Sequence, residues 1–202
     1  FAKTKLKLFE TLKNTIYATY MFQPNYWLFG NNPKDGSKWD KTQDVTKWGS
    51  YIEDGESITG WPKGITNYYV STNINNIEIG DIAFFWSFPN FAITTVGFIV
   101  SEPYSEDGSF WCDMFLLQIE EKHWISGQHL SKLDEWKNRK PFTYTKKGHL
   151  YSQFANPKKI SDAEFGTIYS ELPENINDFV SNENIHRSIV NLYEFLMDET
   201  EE

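Results

Sequence analysis

Stretches of apolar residues between turn residues predict a set of short strands. A strand buried on one or both faces appears as a short apolar or alternating run bounded by Gly, Pro, Asn or Asp. Pro89 and Asn90 separate two such runs and so predict a hairpin. The predicted strands are Tyr26–Phe29, Ile82–Trp86, Ala92–Val100 and Trp111–Ile119.

Apolar residues at helical spacing predict helices at both ends of the chain and between strands. Ser161 followed by Glu164 matches a capping box, in which the two side chains satisfy the first backbone N–H groups of a helix. The predicted helices are residues 4–20, Leu130–Asn138, Ser161–Leu172 and Phe179–Met197. This mixture predicts an α+β fold with a small β-barrel or curved sheet flanked by short helices.

Prolines divide the chain into three predicted parts. Residues 1–24 form an N-terminal amphipathic helix that ends before Pro24, residues 25–172 form the main domain, and residues 173–202 form an acidic helical appendage or linker after Pro173. Residues 30–60 are rich in Gly, Asn, Asp and Ser and predict a long loop, which in a compact domain is usually functional.

Charge is distributed unevenly along the 202 residues, whose net charge is −9. Residues 162–202 carry eleven acidic side chains against Arg187 alone, whereas residues 132–159 carry eight basic side chains against two acidic ones. A local basic face attracts a phosphate backbone even when the whole chain is acidic. The candidate backbone-binding residues are Lys137, Arg139, Lys140, Lys146 and Lys147.

Several functional classes are disfavoured by the sequence. The longest apolar runs, such as Met114–Leu117, are far too short to cross a bilayer, so no membrane partner is expected. Cys112 has no second cysteine to pair with, and no secretory signal is evident, which favours the cytoplasm or the nucleus. Neither a phosphate-binding loop nor a zinc-ligand spacing is present, so no cofactor and no metal are expected.

A metal-dependent nuclease is the one catalytic pattern that the chain approaches. Glu120 and Lys122 form an acid-x-Lys pair, and Asp113 precedes them by seven residues. Two carboxylates on one strand at an odd separation point to opposite faces and cannot share a metal ion. The nuclease hypothesis is therefore the weakest of three, and no catalytic residue is assigned.

Aromatic residues supply the stronger signal. Tryptophan rings stack on nucleobases, and asparagine side chains bond to base edges. Of eight tryptophans, four are expected in the core because they lie on or near predicted elements: Trp27, Trp111, Trp124 and Trp136. The other four are candidates for function: Trp39, Trp48, Trp61 and Trp86.

An ordered set of segments resembles the EVE domain, a relative of YTH domains within the PUA-like superfamily. Tyr26-Trp27-Leu28-Phe29 with Asn31-Asn32-Pro33 resembles that family's YWLFKSEP, and residues 61–68 (WPKGITNY) are similar to its WDGVRNY. Residues 73–87 (NINNIEIGDIAFFWS) resemble its third motif, although the family's histidine is missing. Further similarity lies at Gly97–Val100, at Gly148–Ser152 and at Ile160–Phe165.

The resemblance implies a β-barrel flanked by helices and a non-enzymatic pocket for a modified base. It implies that Trp61 and Trp86 are walls of an aromatic cage. The polar contacts that it implies are Asn31, Asn32, Asn67 and Ser87. Thr66 replaces the family's arginine, which leaves the identity of the ligand open.

The leading hypothesis is thus a nucleic-acid-binding module that flips out and reads a modified base. DNA is favoured over RNA, and a fused or partner motor or nuclease is expected, as in modification-dependent restriction systems. The principal alternative is a protein-interaction module that uses the same barrel and the acidic C-terminal part.

Overall fold

The α+β prediction is confirmed by the computed structural model, which describes residues 24–31, 65–136, 143–144, 150–151 and 157–199. The strands are β1 (Tyr26–Asn31), β2 (Ile65–Val70), β3 (Ile82–Ser87), β4 (Ala92–Ile99), β5 (Tyr104–Glu106), β6 (Ser109–Gln118), β7 (Ile125–Ser126), β8 (Thr143–Tyr144), β9 (Leu150–Tyr151) and β10 (Lys158–Ile160). The helices are α1 (Gly127–Leu130), α2 (Asp162–Glu171), α3 (Glu174–Ser181) and α4 (Glu183–Glu199).

Eight of these strands form one mixed sheet with the order β10-β1-β3-β4-β6-β2. β5 pairs with β6, β7 pairs with β4, and β8 and β9 form a separate two-stranded sheet. β1 and β3 run parallel, whereas every other described pair is antiparallel. The predicted hairpin is confirmed as β3 and β4.

A buried carboxylate fixes the parallel pairing of β1 and β3 at their first residues. Asp81 accepts hydrogen bonds from the indole nitrogen of Trp27 (2.7 Å), the backbone nitrogen of Asn25 (2.9 Å) and the backbone nitrogen of Glu78 (3.0 Å). Burial raises the pKa of Asp81, and these donors partly oppose the rise. These hydrogen bonds hold the first residues of β1 and β3 together.

Side chains alternate between two buried clusters on opposite faces of the sheet, because successive residues of a strand point in opposite directions. On β3, Phe84 and Trp86 belong to one cluster and Phe85 to the other. We call the first the helix face, because α2, α3 and α4 contribute Ile168, Phe179 and Ile189 to it. We call the second the inner face; its members are Trp27, Phe29, Tyr68, Val70, Ile77, Ala83, Phe85, Ile99, Cys112, Met114 and Leu116. The buried position expected for Cys112 is confirmed.

Side-chain contacts across the inner face show that the sheet is strongly curled. The Tyr68 hydroxyl on β2 reaches the Gly30 carbonyl on β1 at 2.9 Å, although β1 and β2 are not neighbours in the sheet. Beyond β2, Thr72 and Asn73 donate to the Pro157 carbonyl at 3.2 and 2.8 Å, just before β10. Side chains rather than a backbone ladder therefore bridge the described edges, so the sheet is curled but not closed.

The helices that follow β10 cover the helix face. Ser161 and Glu164 form the predicted capping box at the start of α2. The helix predicted at Phe179–Met197 is divided instead into α3 and α4 around Asn182, whose side-chain oxygen caps α4 by accepting from Asn184 at 3.1 Å. Of the described helices, none is long and apolar enough to span a membrane.

The helix predicted at Leu130–Asn138 is wrong over its described residues, because α1, which Ser126 caps, ends at Leu130 and residues 131–136 form turns. Residues 174–190, which belong to the predicted acidic appendage or linker, pack against the sheet, with Ile176 and Val190 buried in the same cluster as the strands. The helix predicted at residues 4–20, and the loop predicted at residues 30–60 apart from Gly30 and Asn31, lie outside the described residues.

Candidate functional site

Two of the predicted site residues meet at one end of the curled sheet. Asn31, the last residue of β1, is in register with Ser87, the last residue of β3, and Ser87 is in register with Ala92 at the start of β4. β2 reaches this end across the curl, because the hydroxyl of its Tyr68 contacts Gly30 and Asn31. We call this the Asn31 end of the sheet.

The Asn31 amide is oriented by a tyrosine from the opposite side of the curl. The Tyr68 hydroxyl donates its one proton to the Gly30 carbonyl and accepts a hydrogen bond from Nδ2 of Asn31 at 3.2 Å. Because a carbonyl can only accept, this pair of bonds fixes the nitrogen of the amide toward Tyr68 and turns its oxygen away. Burial raises the pKa of Tyr68 well above its usual range, so the hydroxyl remains a neutral donor.

Residues after β3 extend this polar set. Oγ of Ser87 accepts from the Asn90 side chain at 2.8 Å, and the backbone nitrogen of Phe88 donates to the Asn31 carbonyl at 3.0 Å. Asn31 and Ser87 are themselves buried, whereas Asn90 and Phe91 are exposed. The arrangement is a row of buried polar groups beneath an exposed turn.

Trp86 requires a correction. It is fully buried on the helix face and is opposite Gly30 on β1 and Ile93 on β4. Ser87, the next residue, points to the inner face, so the two side chains cannot line one pocket. Trp86 therefore packs in the helix-face core, on the opposite face of the sheet from Asn31 and Ser87. Trp27 and Trp136 are buried as expected.

Asn67 is also on the wrong face for contact with Asn31. It precedes Tyr68 on β2, lies opposite Asp113 on β6, and hydrogen-bonds the Tyr104 hydroxyl. Asp113 accepts from the hydroxyls of Tyr104 (2.8 Å) and Tyr193 (2.6 Å). Asn67 thus belongs to a second polar cluster, which connects α4 to the sheet.

Burial governs the ionisation of this second cluster. It raises the pKa of Asp113, although the hydrogen bonds from Tyr193 and Tyr104 partly oppose the rise. Burial together with the hydrogen bonds to Asp113 also raises the pKa of both tyrosines well above the usual range. The hydroxyls therefore stay protonated and act as donors.

The remaining predicted site residues lie outside the described residues. They are Trp61 and Asn32 of the cage and the five backbone-binding candidates Lys137, Arg139, Lys140, Lys146 and Lys147. Trp61 stands four residues before Ile65 in the sequence, and Asn32 directly follows Asn31. Of the other basic residues in 132–159, Lys132 follows α1, and Lys158 and Lys159 lie on β10.

The acidic residues considered for metal binding are engaged otherwise. Both oxygens of Asp113 accept tyrosine hydroxyls, and Glu120 lies beyond the end of β6, where it pairs with Lys122 at 2.7 Å. This exposed ion pair lowers the pKa of Glu120. In the described part of the chain, no three His, Cys, Asp or Glu side chains are grouped to hold a metal ion.

Sequence reasoning missed two residues at the Asn31 end. Tyr68 lies within the EVE-like motif of residues 61–68, and the run Ile65–Val70 around it carries the β-branched and aromatic residues that are typical of a strand. Phe91 follows Pro89-Asn90 in the hairpin turn, where an aromatic residue is unusual. Neither signal indicates which face of the sheet a side chain occupies.

Comparisons with known proteins leave the family open. No protein-family model matches the chain, and no curated protein matches it. Among solved structures, the chain is similar to a Leishmania major protein whose structure is described as that of a hypothetical protein. The two share 13% sequence identity with a TM-score of 0.49, over 73% of this chain and 94% of the other.

Proposed function

We propose that this chain is a non-catalytic nucleic-acid-binding module that receives a flipped-out, modified base at the Asn31 end of a barrel-like sheet. The observation that carries the proposal is the convergence of β1, β3 and β2 there, with the amide of Asn31 held by Tyr68 beside Ser87. Oriented amides and hydroxyls are the groups that read base edges. The EVE-like order of sequence segments supports the same function.

Trp61 is the proposed wall of the pocket in place of Trp86. Trp61 stands four residues before Ile65 in the sequence, ahead of the strand whose Tyr68 contacts Asn31, and the EVE-like order of segments supports this assignment. Stacking of a base on an aromatic side chain contributes roughly 1–3 kcal/mol, which offsets much of the few kcal/mol that base flipping costs.

Affinity beyond the pocket is proposed to come from the phosphate backbone. The basic residues of segment 132–159 are the candidates, and DNA is the favoured ligand. Binding through phosphates weakens steeply with salt, whereas discrimination between bases does not depend on it in the same way. The two contributions are therefore separable by experiment.

The test is fluorescence anisotropy of labelled oligonucleotides that carry one N6-methyladenine, 5-methylcytosine or 5-hydroxymethylcytosine, or none. We expect saturation at the lowest protein concentration for one modification, and we expect Trp61→Ala to abolish that preference. Trp86→Phe is the matched control, which should retain it because Trp86 lies in the core. Retained selectivity in Trp61→Ala would overturn the cage assignment, and equal salt-sensitive binding to all oligonucleotides would reduce the function to backbone binding.

A protein-interaction module is the second candidate, and one observation favours it. Leu192 and Phe195 on α4 are 45% and 58% exposed, and they lie three residues apart on one helix surface. Adjacent exposed apolar side chains are typical of contact surfaces. Failure of every oligonucleotide to bind would favour this candidate.

A further inference from the structure

The turn between β3 and β4 carries an aromatic side chain that folding does not explain. Phe91 is 49% exposed and has a φ of 49°, in the left-handed region. The other described non-glycine residues with positive φ are Asn73 and Asp107, whose short polar side chains tolerate this conformation. A bulky residue in it is an outlier that neighbouring contacts must maintain.

Those contacts are present on both sides of the residue. The Phe91 carbonyl accepts from the backbone nitrogen of Gly127 at 2.9 Å, and Ala92 pairs with Ser126 on β7. Asn90 is tied to Ser87 by its side chain. The turn is thus fixed from three directions while the phenyl ring stays half exposed, so strain and an exposed apolar ring occur at the same position.

Phe91 also lies next to the candidate pocket. Asn31, Ser87 and Ala92 are consecutive partners across three strands, and Phe91 directly precedes Ala92. Adjacent strands are about 4.8 Å apart, so the backbone of Phe91 lies roughly 10 Å from that of Asn31. An aromatic side chain on a backbone this close can contact a base at the Asn31 end.

We propose that Phe91 is a stacking residue that packs against a nucleobase at the Asn31 end. Every base offers a π face to an aromatic ring, whatever its edge carries. Phe91 therefore contributes affinity for an unstacked nucleotide, while the polar groups at Asn31 and Ser87 discriminate between bases. The inference rests on the proposed function, because it assigns to Phe91 a ligand that the proposed function supplies.

Phe91→Gly separates this role from stability. Glycine adopts positive φ without strain, so the variant should melt at the wild-type temperature or above. Its Kd for the oligonucleotide that the wild type prefers should rise roughly 5- to 150-fold, the range expected for loss of one base–aromatic contact. Phe91→Tyr keeps a ring and should bind like the wild type.

Phe110→Ala is the matched control. Phe110 is 40% exposed and lies at the start of β6 opposite Val70, the last residue of β2, at the other end of the sheet from Asn31. We expect its Kd to equal that of the wild type. Melting temperature and anisotropy are measured for the wild type and all three variants.

The results distinguish failure of the Phe91 proposal from failure of the proposed function. Wild-type affinity in Phe91→Gly, an equal loss in Phe110→Ala, or a marked fall in the melting temperature of Phe91→Gly would overturn the role of Phe91 and leave the proposed function standing. Absence of wild-type binding to every oligonucleotide would instead overturn the proposed function and, with it, this inference.

Discussion

Two tyrosine-centred polar clusters lie on opposite faces of the same curled sheet. The inner cluster joins Tyr68, Asn31 and the Gly30 carbonyl, and all its members are neutral. The outer cluster joins Tyr104 and Tyr193 to the Asp113 carboxyl. The inner cluster ties two strands together at an end of the sheet, whereas the outer cluster ties a helix to a strand.

This difference shows how adjacent residues acquire unrelated roles. Asn67 and Tyr68 are neighbours on β2, yet Asn67 contacts the outer cluster and Tyr68 the inner one. Trp86 and Ser87 are divided in the same way on β3. A motif that is continuous in the sequence therefore contributes only alternate residues to one site.

The largest expected effect is a loss of stability on β3, where Trp86 and Ser87 belong to opposite faces of the sheet. Trp86→Ala should lower the free energy of unfolding by about 3–5 kcal/mol, because it removes a fully buried indole from the helix-face core. Ser87→Ala should cost about 1 kcal/mol, since it removes one hydrogen bond from Asn90. Urea denaturation measures both, and similar losses in the two variants would contradict the assignment of faces.

A smaller effect is expected in the outer cluster. Asp113→Ala should lower the free energy of unfolding by about 2 kcal/mol, because two tyrosine hydroxyls lose a shared acceptor while the cost of burying a carboxyl is relieved. Tyr193→Phe should cost less, as it removes only one bond. Protease susceptibility of α4 reports whether the helix loosens, and unchanged susceptibility in Asp113→Ala would show that other contacts hold it.

The inner cluster should be less sensitive to removal of its hydroxyl. Tyr68→Phe preserves the ring contacts with Phe29 and Phe85 and should cost about 1–2 kcal/mol, the net value of two neutral hydrogen bonds. The side-chain amide signal of Asn31 in an NMR spectrum should shift in this variant. An unchanged signal would mean that Tyr68 does not orient the amide.

The smallest expected effect is a difference between the two clusters in how their contribution to stability depends on pH. Burial raises the pKa of Asp113 above its ordinary value of 3.8. Between pH 3.8 and the raised pKa, the folded state therefore binds more protons than the unfolded state. The contribution of Asp113 to stability is therefore greatest below pH 3.8 and declines as the pH rises through the folded-state pKa.

The difference in stability between the wild type and Asp113→Asn should accordingly fall between pH 3.5 and pH 7. The corresponding difference for Tyr68→Phe should stay constant, because the inner cluster is neutral over that range. Denaturation midpoints at several pH values measure both differences. A pH-dependent difference for Tyr68→Phe would contradict the neutral character of the inner cluster.

Local patterns in the sequence predicted much of the fold. The capping box at Ser161 and Glu164 and the hairpin of β3 and β4 are determined by nearby residues and were predicted correctly. The parallel pairing of β1 with β3 depends on distant contacts to Asp81, which periodicity does not reveal. The break at Asn182 depends on a single capping side chain within a helical pattern.

The candidate site was less predictable for a related reason. The resemblance to the EVE domain marked Asn31 and Ser87, which the sheet does bring together, but it could not distinguish Trp86 in the core from an exposed ring. Assigning a face requires the register of three strands at once. Phe91 becomes notable only when its backbone conformation and its exposure are both known.

The position of β1 within the sheet also bears on synthesis by the ribosome. β1 is made first among the described strands, yet its partners are β3 and, much later, β10, with Tyr26 opposite both Ile82 and Ile160. Pairings so distant in sequence are slow to form, and during that delay β1 retains an unpaired apolar edge in the nascent chain. Ribosome release or chaperone binding before residue 160 emerges should therefore determine how much of the chain reaches its native topology.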